Sequence, residues 1–482
     1  MLFMGIDVGT QGVRCVAADE NGCVKAAKSV PFQSLNIAKN PEYYEQSPED
    51  WKNAAEEAVR ACTEALKKDG ISSEEILSVS IDGTSGTIVP LDESFRPLMN
   101  GIMYNDPRAK SQAARVHAAM GAHEKKLGLK FGASFSLPRI LWVMENLPDV
   151  YRKTRVFAHQ ADYVAGLLSG EYCVSDYSNA LKTGYDLISG RWPEEISALG
   201  IDVSKLPRIA RPGEPFARVS KAAAEDMGLS EYTQITGGST DGYASALATG
   251  AVREGRWASI IGTTFVLKGV TRSLIVDPNG SSYSHMLPSG EWLLGGASNI
   301  GGRCLNGCVQ NKTFAEMDAA SEALIPTGAR CYPLTGRGER FPFVNPACEA
   351  FYVGDILGGK LYPALMEGVG FAERYAFERM MKLGCAVGDT VYAAGGVCRS
   401  ALWLRIRASI LNRRILVPQV VDAAMGSALV AASEHFGSLS LAADHMIRYA
   451  NAVEPDPALV PAYEEIYQKF LVDLCRQYSL AD

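Results

Sequence analysis

The chain has 482 residues, 47% of them hydrophobic and 21% charged, which excludes disordered, fibrous and collagen-like classes and, at about 150 residues per domain, predicts two to four domains. The net charge is −7, from 47 Lys and Arg against 54 Asp and Glu. With no basic run, that balance gives no electrostatic footprint for nucleic acid or anionic lipid, so small molecules are the expected partners.

The N-terminal Met-Leu-Phe-Met-Gly-Ile-Asp carries no basic region, so no cleaved signal is expected. No apolar run reaches the roughly 18 residues of a membrane span. Eleven cysteines, an odd number without framework spacing, predict reduced thiols and a cytoplasmic address. The six histidines are dispersed, and Cys304 with Cys308 lacks a second ligand pair, so no zinc site is expected.

In chain order, Leu2 to Val8 reads as a strand, followed by a Gly-Thr-Gln-Gly turn and a strand from Val13 to Ala18. Asn21-Gly22 then signals a tight hairpin and a third strand. Ser47-Pro48-Glu49-Asp50 opens a helix with Ser47 as N-cap and Pro48 at its first position, and Trp51, Ala55, Ala58, Val59, Cys62 and Leu66 follow at helical spacing. The pattern recurs at mid-chain. Trp257 to Ile261 and Phe265 to Thr271 read as strands around a Gly262-Thr263-Thr264 turn, with Ser282 to Leu287 and Glu291 to Leu294 as a further pair. The domain boundary is expected between Gly250 and Arg256, giving domains 1–250 and 251–482. Alternating strand and helix signals, such as Val391 to Ala394 and Ala401 to Leu411, make both α/β.

Three segments could carry chemistry. In Asp7-Val8-Gly9-Thr10-Gln11-Gly12, two glycines let backbone N–H groups and the Thr10 hydroxyl form a phosphate nest. Asp7 would repel a phosphate directly, so its task there is the water shell of a Mg²⁺ that bridges phosphates. A solvated hairpin turn is the plain alternative, against which stands the repeat at Gly262-Thr263-Thr264: two such turns facing across an interdomain cleft could grip a triphosphate. In Gly237-Gly238-Ser239-Thr240-Asp241-Gly242, Asp241 opens the Ala-rich helix, either as a simple cap or as a base that takes the proton of an attacking hydroxyl. In Ala393-Ala394-Gly395-Gly396, missing side chains let an adenine or ribose approach the backbone, or let a helix pack closely.

Two rival motifs fail. Gly354 to Leu361 matches the Walker A spacing except that Leu361 replaces the Ser or Thr that would hold Mg²⁺. Gly368-Val369-Gly370 lacks the third glycine of a dinucleotide fingerprint and lies in a helical pattern. No Gly-x-Ser-x-Gly elbow occurs.

Gly5-Ile-Asp-Val-Gly-Thr-Gln-Gly, Gly237-Gly-Ser-Thr-Asp-Gly and Gly395-Gly together resemble the FGGY carbohydrate kinases, nearly end to end. Tyr104-Asn105-Asp106-Pro107-Arg108, Asp162-Tyr163, Ser175 to Ala180 and Gly338-Glu339-Arg340-Phe341-Pro342 agree in order and spacing. The resemblance implies two ribonuclease H-like, actin-like ATPase domains with an interdomain cleft, sugar bound mainly by the first and ATP by the second. It implies a kinase using ATP and Mg²⁺, with Asp241 as catalytic base. Asp7, Thr10 and Gln11 become the first phosphate grip, with Asp7 toward the metal; Gly262, Thr263 and Thr264 become the second, and Gly395 and Gly396 line the adenosine pocket. Thr84, Ser85 and Asp106, with Asp241, are the expected sugar contacts.

Ile81-Asp82-Gly83-Thr84-Ser85-Gly86-Thr87 is more similar to plant and cyanobacterial D-ribulokinases than to bacterial xylulokinases, which carry Gln-Met-His in this loop, so D-ribulose is favoured over D-xylulose or another polyol. Val397 replaces a frequent third glycine, and Asp355 and Lys360 break the family's C-terminal signature. A homodimer is compatible with this reading. A non-catalytic actin-like nucleotide-binding protein is the alternative of a different class, because a fold alone does not fix a reaction.

Overall fold

Strand Leu2–Val8, buried at every residue, pairs antiparallel with Gly12–Asp19, which pairs antiparallel with Val24–Pro31. The hairpin between the last two is closed by Asp19, whose Oδ1 accepts from the N–H groups of Asn21 and Cys23, each at 2.9 Å. On its other side Leu2–Val8 runs parallel to Ile76–Gly83, which is parallel in turn to Gln234–Thr236. The helix Pro48–Lys68 starts as expected, with the Ser47 hydroxyl accepting from the Asp50 N–H, and buries Trp51, Ala55, Ala58, Val59, Cys62 and Leu66.

The computed structural model describes residues 1–309, 312–357 and 359–480. Gly358 of the Walker-like segment lies outside them. Strand Trp257–Ile261 pairs antiparallel with Phe265–Thr271, and that with Trp292–Ser298. Trp257–Ile261 is also parallel to Thr390–Ala394, which is parallel to Arg414–Pro418. Each sheet is therefore an antiparallel three-strand meander whose first strand continues into a parallel pair, so the repeat seen in sequence is a repeat of topology. Gly368 and Gly370 lie inside the helix Leu361–Lys382, where a Cβ would strike Cys331 and Ile410 respectively. Close helix packing is their use.

The two compact units are not contiguous halves. The first comprises Met1–Ala248, His285–Glu291 and Val420–Ile447; the second comprises Thr249–Ser284, Trp292–Gln419 and the chain from Arg448. The expected domain 251–482 is thus corrected: residues 420–447 fold into the first unit. The reason lies in the helix Ala423–Ala432, buried at all ten residues and built largely of Ala, Gly and Ser. Its backbone lies so close to the sheet that a Cβ on Gly5 would overlap Ala424 and Ala428, and the Ser78 hydroxyl donates to the Ala431 carbonyl at 2.8 Å. Only small residues permit that approach. No helix among the described residues is long and apolar enough to cross a membrane.

Candidate active site

Three carboxylates of the first unit gather where its parallel strands end, the edge at which open α/β sheets bind ligands. Asp7 and Asp82 are register partners near the ends of Leu2–Val8 and Ile76–Gly83. Ser239 pairs with Asp82 and Thr240 with Gly83, which delivers Asp241 as the first residue of the helix Asp241–Leu247. The glycines of this segment have a mechanical reason: a Cβ on Gly237 would overlap the Arg211 carbonyl, and one on Gly238 the Ile81 carbonyl. From the other side, the Thr240 N–H donates to Ser178 Oγ at 2.8 Å, and that hydroxyl donates to Asp176 at 2.7 Å.

Asp7 is 6% exposed and Asp82 fully buried. Burial first, then the charge of Asp241, pushes the Asp7 carboxyl up to about 7. Burial first, then Asp7, pushes Asp82 well above the carboxylate range. Ser427 Oγ donates to Asp82 Oδ2 at 2.6 Å, and the Asp82 carboxyl, the one held protonated, hydrogen-bonds that of Asp7. Asp241, half-buried, accepts from the Gly242 N–H at 2.6 Å. A carboxylate at the ligand-binding edge of the sheet, with no histidine or cysteine beside it, is a hard oxygen donor of the kind a divalent cation takes, so Asp7 fits the metal expected beside it.

The adjoining turn is held by a side chain that sequence reasoning passed over: Gln46 Nε2 donates to the Thr10 carbonyl at 2.8 Å, and Gln46 Oε1 accepts from Trp51 Nε1 at 2.9 Å. Gly9 N–H closes the turn onto the Gly12 carbonyl at 3.0 Å. Thr10 is half-buried and Gln11 exposed.

The loop after Gly83 is locked from within. Thr84 N–H and Oγ1 both donate to Gln160 Oε1, at 2.9 and 2.6 Å, and Thr84 Oγ1 lies 2.6 Å from Thr87 Oγ1. Gly86 has φ +90°, which favours glycine. The hydroxyl of Ser85 is buried without a partner, as is Gln160 Nε2. Arg139, fully buried, donates to the carbonyls of Gly86 at 2.8 Å and Tyr104 at 2.6 Å. Asp106 is occupied: its oxygens accept from the Tyr44 N–H at 2.6 Å and from Arg108 Nε and Nη2 at 2.8 and 2.7 Å. Its visible work is to fix Arg108 against the rings of Tyr43 and Trp142.

In the second unit, the Gly262 turn and the Gly395-Gly396 turn follow adjacent parallel strands. Gly395 has φ +95°, and a Cβ there would overlap the Ile261 carbonyl. Gly262, Thr263 and Gly396 line one cavity of about 390 Å³, whose walls include Arg303, Phe314, Asp318 and Trp403. Thr264 and Gly395 shape the turns without lining it. Val397 lines the cavity where a third glycine was expected.

Sequence reasoning missed Asp82, Gln160 and Arg139 in the first unit, and Arg303, Asp318 and Trp403 in the second. A signal for Asp82 existed, since Ser80-Ile81-Asp82-Gly83 repeats the strand ending Gly5-Ile6-Asp7-Val8-Gly9.

Residues 2–248 match the N-terminal domain, and residues 258–435 the C-terminal domain, of the FGGY family of carbohydrate kinases. The xylulose kinase of Bacillus subtilis is 28% identical, aligned over 97% of this chain and 95% of its own. The gluconokinase of the same organism is 25% identical over 86% and 84%. Among solved structures, a protein described as a xyloylose kinase from Brucella ovis superposes with a TM-score of 0.89 at 25% identity over the whole of both chains. The xylulose kinase from Rhodospirillum rubrum superposes with a TM-score of 0.87 at 24% identity over 99% of each. With the duplicated actin-like sheet, the carboxylates at its strand ends and two family domains spanning most of its length, the chain belongs to the FGGY family of carbohydrate kinases.

Proposed function

We propose that this ATP-dependent sugar kinase transfers the γ-phosphate of MgATP to a hydroxyl of a ketopentose, D-xylulose first. The observation that carries the reading is the placement of Asp241 at the strand-end edge that also holds Asp7 and Asp82. A half-buried carboxylate at a helix start, held by its own backbone and by the Ser178–Thr240 bond, has the fixed geometry that a general base needs. Asp241 takes the proton of the sugar hydroxyl as that oxygen attacks phosphorus. Asp7 would hold a Mg²⁺ that accompanies the nucleotide, and that ion would offset the charge of the phosphoryl oxygens.

In the second unit, the Gly262-Thr263 backbone receives phosphate oxygens, with Thr264 shaping the turn. Gly396 admits the adenosine, and Trp403 and Phe314 offer it apolar walls. Relatives named xylulose kinase align with nearly the whole chain, which favours that sugar. A D-ribulose reading is favoured by one feature, the short loop Thr84-Ser85-Gly86, where a small buried hydroxyl stands in place of larger side chains.

The deciding experiment is coupled-enzyme ADP release with D-xylulose, D-ribulose, gluconate, pentitols and glycerol. A kcat/KM for one ketopentose at least tenfold above gluconate and glycerol supports the reading. No ADP release with any of these sugars would sink it and favour a non-catalytic nucleotide-binding protein.

A further inference from the structure

Charge is divided unevenly around the cavity of the second unit. Arg303 and Arg399 line it, both exposed and neither in an ion pair among the described residues. Both belong to its turns. Gly302 N–H donates to the Gly262 carbonyl at 2.8 Å and Arg303 N–H to the Thr263 carbonyl at 3.4 Å, while Arg399 ends the short helix Gly396–Arg399. Asp318, on the helix Phe314–Ser321, is the only carboxylate among the described residues that line the cavity. Phosphates are drawn to the two guanidinium groups and repelled by the carboxylate, so a nucleotide seated here turns its base toward Asp318.

Asp318 stands one helical turn after Phe314, so carboxylate and ring share a face. Its Oδ1 accepts from the Tyr362 hydroxyl at 2.8 Å. Burial, together with this bond, pushes the Tyr362 phenol up, so the group stays a donor. The bond sets the rotation of the carboxylate and leaves Oδ2, which has no donor among the described residues, as the acceptor open to a ligand. Leu305, Val397 and Trp403 complete the apolar walls, and the Trp403 indole N–H is already engaged by the Met366 carbonyl at 3.2 Å. At C6, adenine carries an amine that donates to a carboxylate, whereas guanine carries a carbonyl oxygen that a carboxylate repels. Guanine's adjacent N1–H and N2–H call for both carboxylate oxygens, and Tyr362 holds one of them. We propose that Asp318 is a nucleotide-specificity residue, whose Oδ2 accepts a hydrogen bond from the 6-amino group of adenine and whose charge turns away 6-oxo purines. The inference deepens the kinase reading, on which it rests for the placing of phosphates at the Gly262 turn.

The test is calorimetric titration of the full chain, with Mg²⁺ and without sugar. The ligands are ADP, purine riboside 5′-diphosphate (which lacks the 6-amine), GDP and 2′-deoxy-ADP. The wild type should bind ADP roughly tenfold or more tighter than either purine riboside diphosphate or GDP, as loss of a hydrogen bond to a charged group requires. Asp318→Ala should bring the ratio of ADP to purine riboside diphosphate below about threefold, with the ratio of ADP to 2′-deoxy-ADP unchanged. Asp318→Asn, whose amide can accept from the amine or donate to a 6-oxo group, should bind GDP about threefold or more tighter than the wild type does. A merely damaged pocket would not produce that gain. Circular dichroism is the fold control, and if the alanine variant does not fold, the asparagine variant decides. A wild type indifferent to the 6-amine, a folded Asp318→Ala that keeps the full preference, an Asp318→Asn with no gain for GDP, or an effect confined to the 2′-deoxy comparison overturns the proposal. If ATP still phosphorylates a ketopentose in that case, the kinase reading survives. An ADP preference that depends on Asp318, with no sugar turned over, leaves the nucleotide assignment standing and removes the substrate reading.

Discussion

Gly5 lies directly beneath Ala424, with no room between the strand and the helix for a single carbon: a Cβ on Gly5 would overlap the Ala424 carbonyl oxygen. Residues from the two ends of the chain are thus joined in one core. Gly5→Ala forces the helix Ala423–Ala432 off the sheet and, with it, Ser427 away from Asp82. Overpacking of this kind costs about 1–3 kcal/mol, and backbone contact puts the expected loss at the upper end. Urea unfolding should show a lower midpoint, and kcat should fall together with stability. A midpoint equal to that of the wild type would mean the helix is not tightly seated.

Asp241→Asn keeps the size and hydrogen bonding of the side chain but cannot accept a proton. The expected result is a fall in kcat of about 10²–10⁴-fold with sugar affinity, measured calorimetrically, within threefold of the wild type. Retention of most of the turnover would take Asp241 out of the proton transfer.

Ser85 carries a buried hydroxyl with no partner in the protein, so a sugar hydroxyl is its natural one. Ser85→Ala should raise the sugar KM about threefold to tenfold, equivalent to roughly 0.5–1.5 kcal/mol, and leave the ATP KM within twofold. The ratio of D-ribulose to D-xylulose turnover should change as well. An effect larger on ATP than on sugar would place the hydroxyl elsewhere in the reaction.

Glu367, fully buried, is pushed up from 4.5 to about 7 by burial, although Thr327 and Tyr463 donate to it and pull the other way. Between those two values the folded chain keeps a proton that the unfolded chain has released. Stability from this group is therefore complete below about pH 4.5 and lost as the pH rises through 7, by roughly 3 kcal/mol at most. Glu367→Gln removes the slope, so the variant should gain on the wild type between pH 5 and pH 7.5 in denaturant unfolding. A difference between the two proteins that stays constant across that range would show that Glu367 titrates normally.

Local features of the sequence were enough for the elements and for part of the site. Strand Leu2–Val8, the Ser47-capped helix, the strands Trp257–Ile261 and Phe265–Thr271, and the helix Ala401–Leu411 follow from periodicity, capping and turn chemistry, which act over a few residues. Asp7 and Asp241 were legible because each stands beside glycines whose spacing has a backbone reason. Asp82 read instead as part of a sugar loop, since its partnership with Asp7 exists only once two distant strands pair in parallel. Asp106 read as a sugar contact because its motif is local, whereas its occupation by Tyr44 and Arg108 depends on the fold. The helix Ala423–Ala432 read as part of a second domain, because sequence order assigned it to the second half of the chain and only the close fit of Ala and Gly against Gly5 draws it back to the first. The cavity walls Arg303, Asp318 and Trp403 carry no motif at all. Short-range conformational preferences are written in neighbouring residues; contact between distant ones is decided by which surfaces can bury one another, and that is settled only when the whole chain packs.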